Sequence, residues 1–163
     1  MITQNQLKKH IKYDENTGEF LWVLKTSNRV KNNKKAGSYR KDNKIFIRFN
    51  NELYLAHQLA WLYHYGEWPD KFIDHINGNS LDNRIANLRL CNHAENAWNS
   101  KIRVDNKSGC KGVSFDKARN KWTARIMANG ILTILGRFDD LQEAIAITNK
   151  KRCEIHGNFA RLF

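Results

Sequence analysis

The spacing of apolar and polar residues changes several times along the chain, and each change marks an element. Thr3-Gln4-Asn5-Gln6 places a hydroxyl three residues ahead of an amide side chain, a capping box that predicts a short helix through His10. Tyr13-Asp14-Glu15-Asn16-Thr17-Gly18 predicts a turn, and Glu19-Phe20-Leu21-Trp22-Val23 a strand. From 25 to 44 apolar periodicity gives way to Lys, Arg, Asn and Gly, which predicts a loop or a loosely held hairpin. Ile45-Phe46-Ile47-Arg48-Phe49 returns to a strand. Over 54–65, Leu55, Leu59 and Leu62 recur at helical spacing, with Gly66 as a C-terminal stop and Pro69 soon after.

The next stretch reads strand, loop, strand, helix. Phe72-Ile73-Asp74-His75-Ile76 is a short strand, residues 77–87 are a polar, Asn-rich loop, and Leu88-Arg89-Leu90 is a second strand. Asn92-His93-Ala94-Glu95 is a further capping box, opening a helix that carries Asn96 and Asn99. A basic, polar connector with Lys101, Arg103 and Lys107 follows, and the pattern then changes. Gly112-Val113-Ser114-Phe115, Lys121-Trp122-Thr123-Ala124-Arg125-Ile126 and Leu132-Thr133-Ile134-Leu135 predict three short strands. Asp140-Leu141-Gln142-Glu143 caps a helix to about Ile155. The reading is an α+β chain of two small domains, at 1–100 and 108–163, joined by a linker at 101–107.

Composition narrows the partner. The formal net charge is +12 and the pI about 9.8, a field that favours a polyanion, either nucleic acid or an anionic membrane. No apolar run approaches the ~20 residues that span a bilayer, and no charged-then-apolar leader follows Met1. Nucleic acid therefore leads, with no membrane partner and a cytoplasmic location expected. Cys91, Cys110 and Cys153 are odd in number and form no C-x-x-C. Reduced thiols are expected, and no structural zinc, since a zinc site would need an unusual set such as Cys91 with His93.

The residues with chemistry to offer cluster between Asp74 and Asn96. A hairpin packed against a helix would gather Asp74, His75, Asn87 and Asn96. Phosphodiester hydrolysis needs an activated water and charge withdrawal at the leaving oxygen. A histidine supplies a base that titrates near working pH, and a carboxylate with an amide oxygen suits a hard divalent ion. Arg84 and Arg89 are candidates for phosphate contacts. His57 is expected to pack in its helix, Asp82 and Asn83 to shape the loop, and Trp22, Trp61, Trp68, Trp98 and Trp122 to pack in cores or hairpins.

Asp74-His75-Ile76-Asn77-Gly78-Asn79, Asp82-Asn83-Arg84-Ile85-Ala86-Asn87-Leu88-Arg89 and Glu95-Asn96 closely resemble the motif of the zinc-free, phage-associated branch of the HNH homing endonucleases. Ala56-His57-Gln58-Leu59-Ala60-Trp61 and Gly66-Glu67-Trp68-Pro69 resemble what precedes that motif. The resemblance implies a ββα-metal fold with its core at 72–100 and a one-metal mechanism using Mg2+ or Mn2+. It implies His75 as general base, Asp74 and Asn96 as metal ligands, and Asn87 as the residue that braces the loop and orients His75. Gly109-Cys110-Lys111-Gly112-Val113, Leu135-Gly136-Arg137-Phe138 and Glu143-Ala144, with the strand from Lys121 to Ile126, are similar to the AP2 DNA-binding domain. That similarity implies a three-stranded sheet plus helix that lays its sheet on DNA. Strand alternation puts Lys121, Thr123 and Arg125 on one face and Trp122, Ala124 and Ile126 on the other, the second set packing on the helix at 141–147. Lys111, Lys121, Arg125 and Arg137 are the expected DNA contacts. Leu132 and Ile134 stand where plant members carry an arginine and a tryptophan, so their base preference does not transfer.

Together the resemblances imply a phage or mobile-element endonuclease acting on double-stranded DNA in a bacterial or infected host cell. A monomer would nick, and a homodimer would cut both strands. The alternative from another class is a non-catalytic, sequence-specific DNA-binding regulator on a degenerate HNH fold.

Overall fold

A computed structural model describes residues 1–24, 34–41 and 43–162. Residues 25–33 and 42 of the basic stretch lie outside them. The chain has a mixed α/β architecture and divides into two compact units, Met1–Asn92 and His93–Phe163.

In the first unit, α1 (Gln4–His10) begins at Thr3, whose hydroxyl accepts from the Gln6 amide while the Gln6 side chain returns to the Thr3 N–H. This is the expected capping box. Strands β1 (Ile11–Asp14) and β2 (Glu19–Trp22) form an antiparallel hairpin. Its turn falls where the sequence predicted one, but β1 itself was not foreseen. Strands β3 (Ser38–Tyr39), β4 (Ile45–Phe49) and β5 (Glu52–Leu55) make an antiparallel sheet in that order. The described part of the basic stretch thus contributes a short strand. Helix α2 (Ala56–Tyr65) starts two residues later than the periodicity suggested, because Leu55 is still extended and paired with Phe46. It stops at Gly66 in the left-handed region, φ 86°, a conformation that glycine adopts without the usual Cβ clash.

Leu7, Ile11, Phe20, Ile47, Phe49, Leu59 and Leu62 fill the core of this unit. Removal of such side chains from water is the main stabilising term. The last hairpin, β6 (Phe72–His75) and β7 (Leu88–Cys91), pairs Asp74 with Arg89 and His75 with Leu88. Leu88 is buried in the same core, with Ile73 and Ile85 packed against it. The hairpin's polar residues therefore rest on a packed support.

The second unit opens with α3 (His93–Trp98) and continues through β8 (Val113–Asp116), β9 (Lys121–Ala128), β10 (Ile131–Phe138) and α4 (Leu141–His156). The sheet is antiparallel with β9 central. Asn129 and Gly130 join β9 to β10, both at positive φ, as a type I′ hairpin turn requires. Asp140 caps α4 as expected, its carboxylate accepting from the Glu143 amide. Ala124 and Ala144 meet at the core, with Trp122, Leu141 and Ile145 around them. Trp122 and Ala124 of the face predicted to meet the helix pack there, whereas Thr123, predicted on the opposite face, is buried as well. Helix α3 groups with this unit, ahead of the connector expected at 101–107. The Trp98 indole lies flat on His156, with ring centroids 4.2 Å apart, and this contact ties α3 to the end of α4.

Candidate active site

Asp74 and His75 are the last two residues of β6, and both are buried together with Asn83 and Asn87. A buried polar side chain is costly unless hydrogen-bonded, and the loop between β6 and β7 is built to satisfy these. The Asn87 side chain accepts from the Asn77 N–H (3.0 Å) and donates to the Asn77 side-chain oxygen (3.1 Å) and to the Asp82 carbonyl (2.8 Å). The Asn87 carbonyl in turn accepts from Ile76 N–H. Asn87 thus braces the loop, as the motif implied.

The His75 ring is held from two directions. Its Nε2 lies 3.2 Å from Asn83 Oδ1, and the His57 ring meets it edge to face with centroids 5.2 Å apart. The Asn83 side chain thus meets the ring directly, while the Asn87 side chain is engaged with the loop. Burial pushes the His75 imidazole below the ordinary histidine pKa, while the Asn83 hydrogen bond and the Asp74 and Asp82 carboxylates pull the other way. His57 is driven further, to about 3, by burial with help from His75 and Lys44. Both rings are therefore neutral at neutral pH, the state in which an imidazole can accept a proton.

Two of the expected phosphate contacts, Arg84 and Arg89, are paired with carboxylates of the loop and hairpin. Arg89 donates through Nε (2.8 Å) and a terminal nitrogen (2.7 Å) to one oxygen of Asp74. Cross-strand register dictates this pair. Arg84 grips both oxygens of Asp82 at 2.8 and 2.6 Å and holds that carboxyl down at about 2. Its side chain is half exposed, so it keeps access to a phosphate. Asn96 stands on α3 in the second unit.

The remaining candidates lie on the second unit. Arg125 donates to the Ser114 hydroxyl at 2.6 Å, Lys121 bridges both oxygens of Asp139, and Arg137 is exposed opposite Thr123. Lys111, expected to project towards DNA, is turned inward instead. Its ammonium donates to the Trp98 carbonyl and the Ser100 hydroxyl, a site where the C-terminal carbonyls of a helix want donors. Burial, and then the Arg152 and Arg161 cations, push its pKa down to about 8.

A family model described as HNH endonuclease matches residues 54–98, a span that contains His57, Asp74, His75, Asn83, Asn87 and Asn96. Protein 3.8 of Escherichia phage T7 is 43% identical over 90 residues, 55% of this chain and 74% of that protein. The chain belongs to the HNH endonuclease family. An uncharacterized HNH endonuclease of Acanthamoeba polyphaga mimivirus is 33% identical over 91 residues, 56% of this chain. The chain spans less than half of that relative, 46% of its length. No solved structure matches the chain. The HNH family match ends at Trp98, ahead of the β8–β10 sheet.

The donor chemistry suits a hard divalent ion. Among the described residues no three His, Cys, Asp or Glu side chains stand together as a metal cage. The available donors at the hairpin are carboxylate and amide oxygens, which Mg2+ and Mn2+ accept while keeping several waters. Asp74 now neutralises Arg89, so an ion at Asp74 would share or displace that guanidinium. Among the described residues no helix is long and apolar enough to cross a membrane.

Proposed function

We propose that the protein is a divalent-metal-dependent DNA endonuclease in which His75 is the general base. The observation that carries this reading is the His75 imidazole itself. It is buried beside Asp74, fixed by Asn83 and kept neutral by its surroundings.

The neutral ring takes a proton from a water aligned with a phosphodiester. The water oxygen bonds to phosphorus as the bond to the 3′ oxygen breaks, and the departing oxygen takes a proton from solvent water, leaving 5′-phosphate and 3′-hydroxyl ends. Asp74, together with Asn96 by its place in the motif, would hold Mg2+ or Mn2+, which supplies charge stabilisation at the leaving oxygen. Asn87 keeps the loop closed so that the base does not drift, and misplacement of a reacting group by ~1 Å costs about 100-fold in rate.

The partner in this reading is double-stranded DNA. The β8–β10 sheet would act as an AP2-like binding surface through the face turned away from α4, which carries Lys121, Arg125 and Arg137. The Lys121–Asp139 pair is exposed and so exchanges for a phosphate at little cost. A single copy would nick, and two copies would cut both strands.

Incubation of supercoiled plasmid with the protein and Mg2+ or Mn2+ tests the proposal. Conversion to open-circle or linear DNA, abolished by EDTA, is expected. Tight duplex binding without cleavage of plasmid or phage DNA would instead support a non-catalytic regulator.

A further inference from the structure

Asn83 is the most deeply buried polar side chain of the hairpin loop, 1% exposed, and its side-chain amide and its carbonyl are all engaged. Its Nδ2 donates to the Leu81 carbonyl at 3.3 Å. Its own carbonyl accepts from the Tyr13 hydroxyl at 2.7 Å, across 70 positions of sequence. Because Nδ2 faces a carbonyl, the atom that meets His75 Nε2 at 3.2 Å is the side-chain oxygen. An oxygen there can only accept, so Nε2 must carry the hydrogen and the lone pair falls on Nδ1.

The β1–β2 hairpin holds Asn83 in place. Burial keeps the Tyr13 hydroxyl protonated, with its pKa well above the ordinary tyrosine value, so it remains a donor. At the hairpin turn, a Cβ on Gly18 would lie 2.6 Å from the Arg84 nitrogen and 2.7 Å from the Asn83 carbonyl carbon. The turn backbone therefore rests directly on the loop backbone, at a contact only glycine permits. Asn87 does different work, since its side chain bonds Asn77 and Asp82.

We infer that Asn83 is the positioning residue for His75, fixing the tautomer with hydrogen on Nε2 and the basic lone pair on Nδ1, and that the N-terminal hairpin clamps it there through Tyr13 and Gly18. The inference rests on the reading of His75 as general base for its consequence, but the tautomer is measurable without any activity.

Long-range 1H–15N correlation of the 15N-labelled full chain at alkaline pH reads which His75 nitrogen is protonated. The wild type is expected to show protonated Nε2 and bare Nδ1. Asn83→Leu, close in shape but unable to accept, is expected to give a mixture of tautomers and to lower kcat about 100-fold with little change in KM. Asn83→Asp retains an acceptor and is expected to restore the tautomer. A wild-type ring protonated on Nδ1, or an Asn83→Leu variant with unchanged tautomer and kcat, overturns the inference. Absence of cleavage by wild type would count against the nuclease reading alone, because the tautomer still decides the role of Asn83. Should Asn83→Leu fail to fold, the wild-type and Asn83→Asp spectra decide it.

Discussion

His57 makes the fold of the first unit sensitive to mild acid. Its ring is 9% exposed on α2, and its pKa falls from the ordinary 6.5 to about 3. A depressed histidine pKa means that the unfolded chain binds the proton more tightly than the native one. The stabilisation is fully present above pH 6.5 and is lost as the pH falls towards 3. Between pH 7 and pH 5 the unfolded ring becomes protonated while the native ring stays neutral, which costs about 2 kcal/mol from this residue alone. His75 shifts in the same direction, whereas Asp82, with its pKa at about 2, acts only below this window. His57→Phe keeps an apolar ring against His75 and removes the proton site. Urea denaturation at pH 7 and pH 5 should show the wild type losing about 2 kcal/mol more than the variant. Equal losses for the two proteins would refute the assignment of the buried, neutral ring.

Asn87→Ala removes the hydrogen bonds to Asn77 and Asp82 and should cost about 2–3 kcal/mol, with faster hydrogen exchange at the Asn77 amide; unchanged exchange there would count against the bracing role. Arg89→Ala strips two charge-assisted hydrogen bonds from a buried carboxylate and should destabilise by ~3 kcal/mol, read as a lower Tm; an unchanged Tm would mean that the pair contributes nothing. Gly112 sits at φ 80°, and a Cβ there would lie 2.1 Å from the Arg125 carbonyl oxygen. Gly112→Ala should therefore cost more than about 2 kcal/mol, the left-handed penalty plus displacement of β9, and tolerance in a thermal melt would show that the strand yields easily.

Local signals in the sequence located the elements well where their cause is local. The Thr3 and Asp140 caps and the Gly66 stop each depend on residues within a few positions of one another. Strands β1, β3 and β5 escaped notice because two to four residues carry too little periodicity, and β5 runs directly into α2. At the site, the spacing of Asp74, His75 and Asn87 was legible as a motif, and the loop-bracing role of Asn87 followed from it. The partner of the His75 ring was not. Asn83 reads as one more turn-forming residue, and its link to Tyr13 spans 70 positions that no periodicity connects. Side-chain pairing also redirected charges that composition alone presented as available. Arg89 faces Asp74 because of strand register, and Lys111 turns to the end of α3 because helix carbonyls there accept its protons.

The most direct test of the central claim compares wild type with His75→Ala in a plasmid-cleavage assay with Mg2+, while duplex binding is followed by fluorescence anisotropy. The variant is expected to bind DNA as the wild type does and to lose cleavage by at least about 100-fold, as removal of a positioned general base requires. Cleavage retained at the wild-type rate would contradict it, because no base other than His75 is assigned to activate the water.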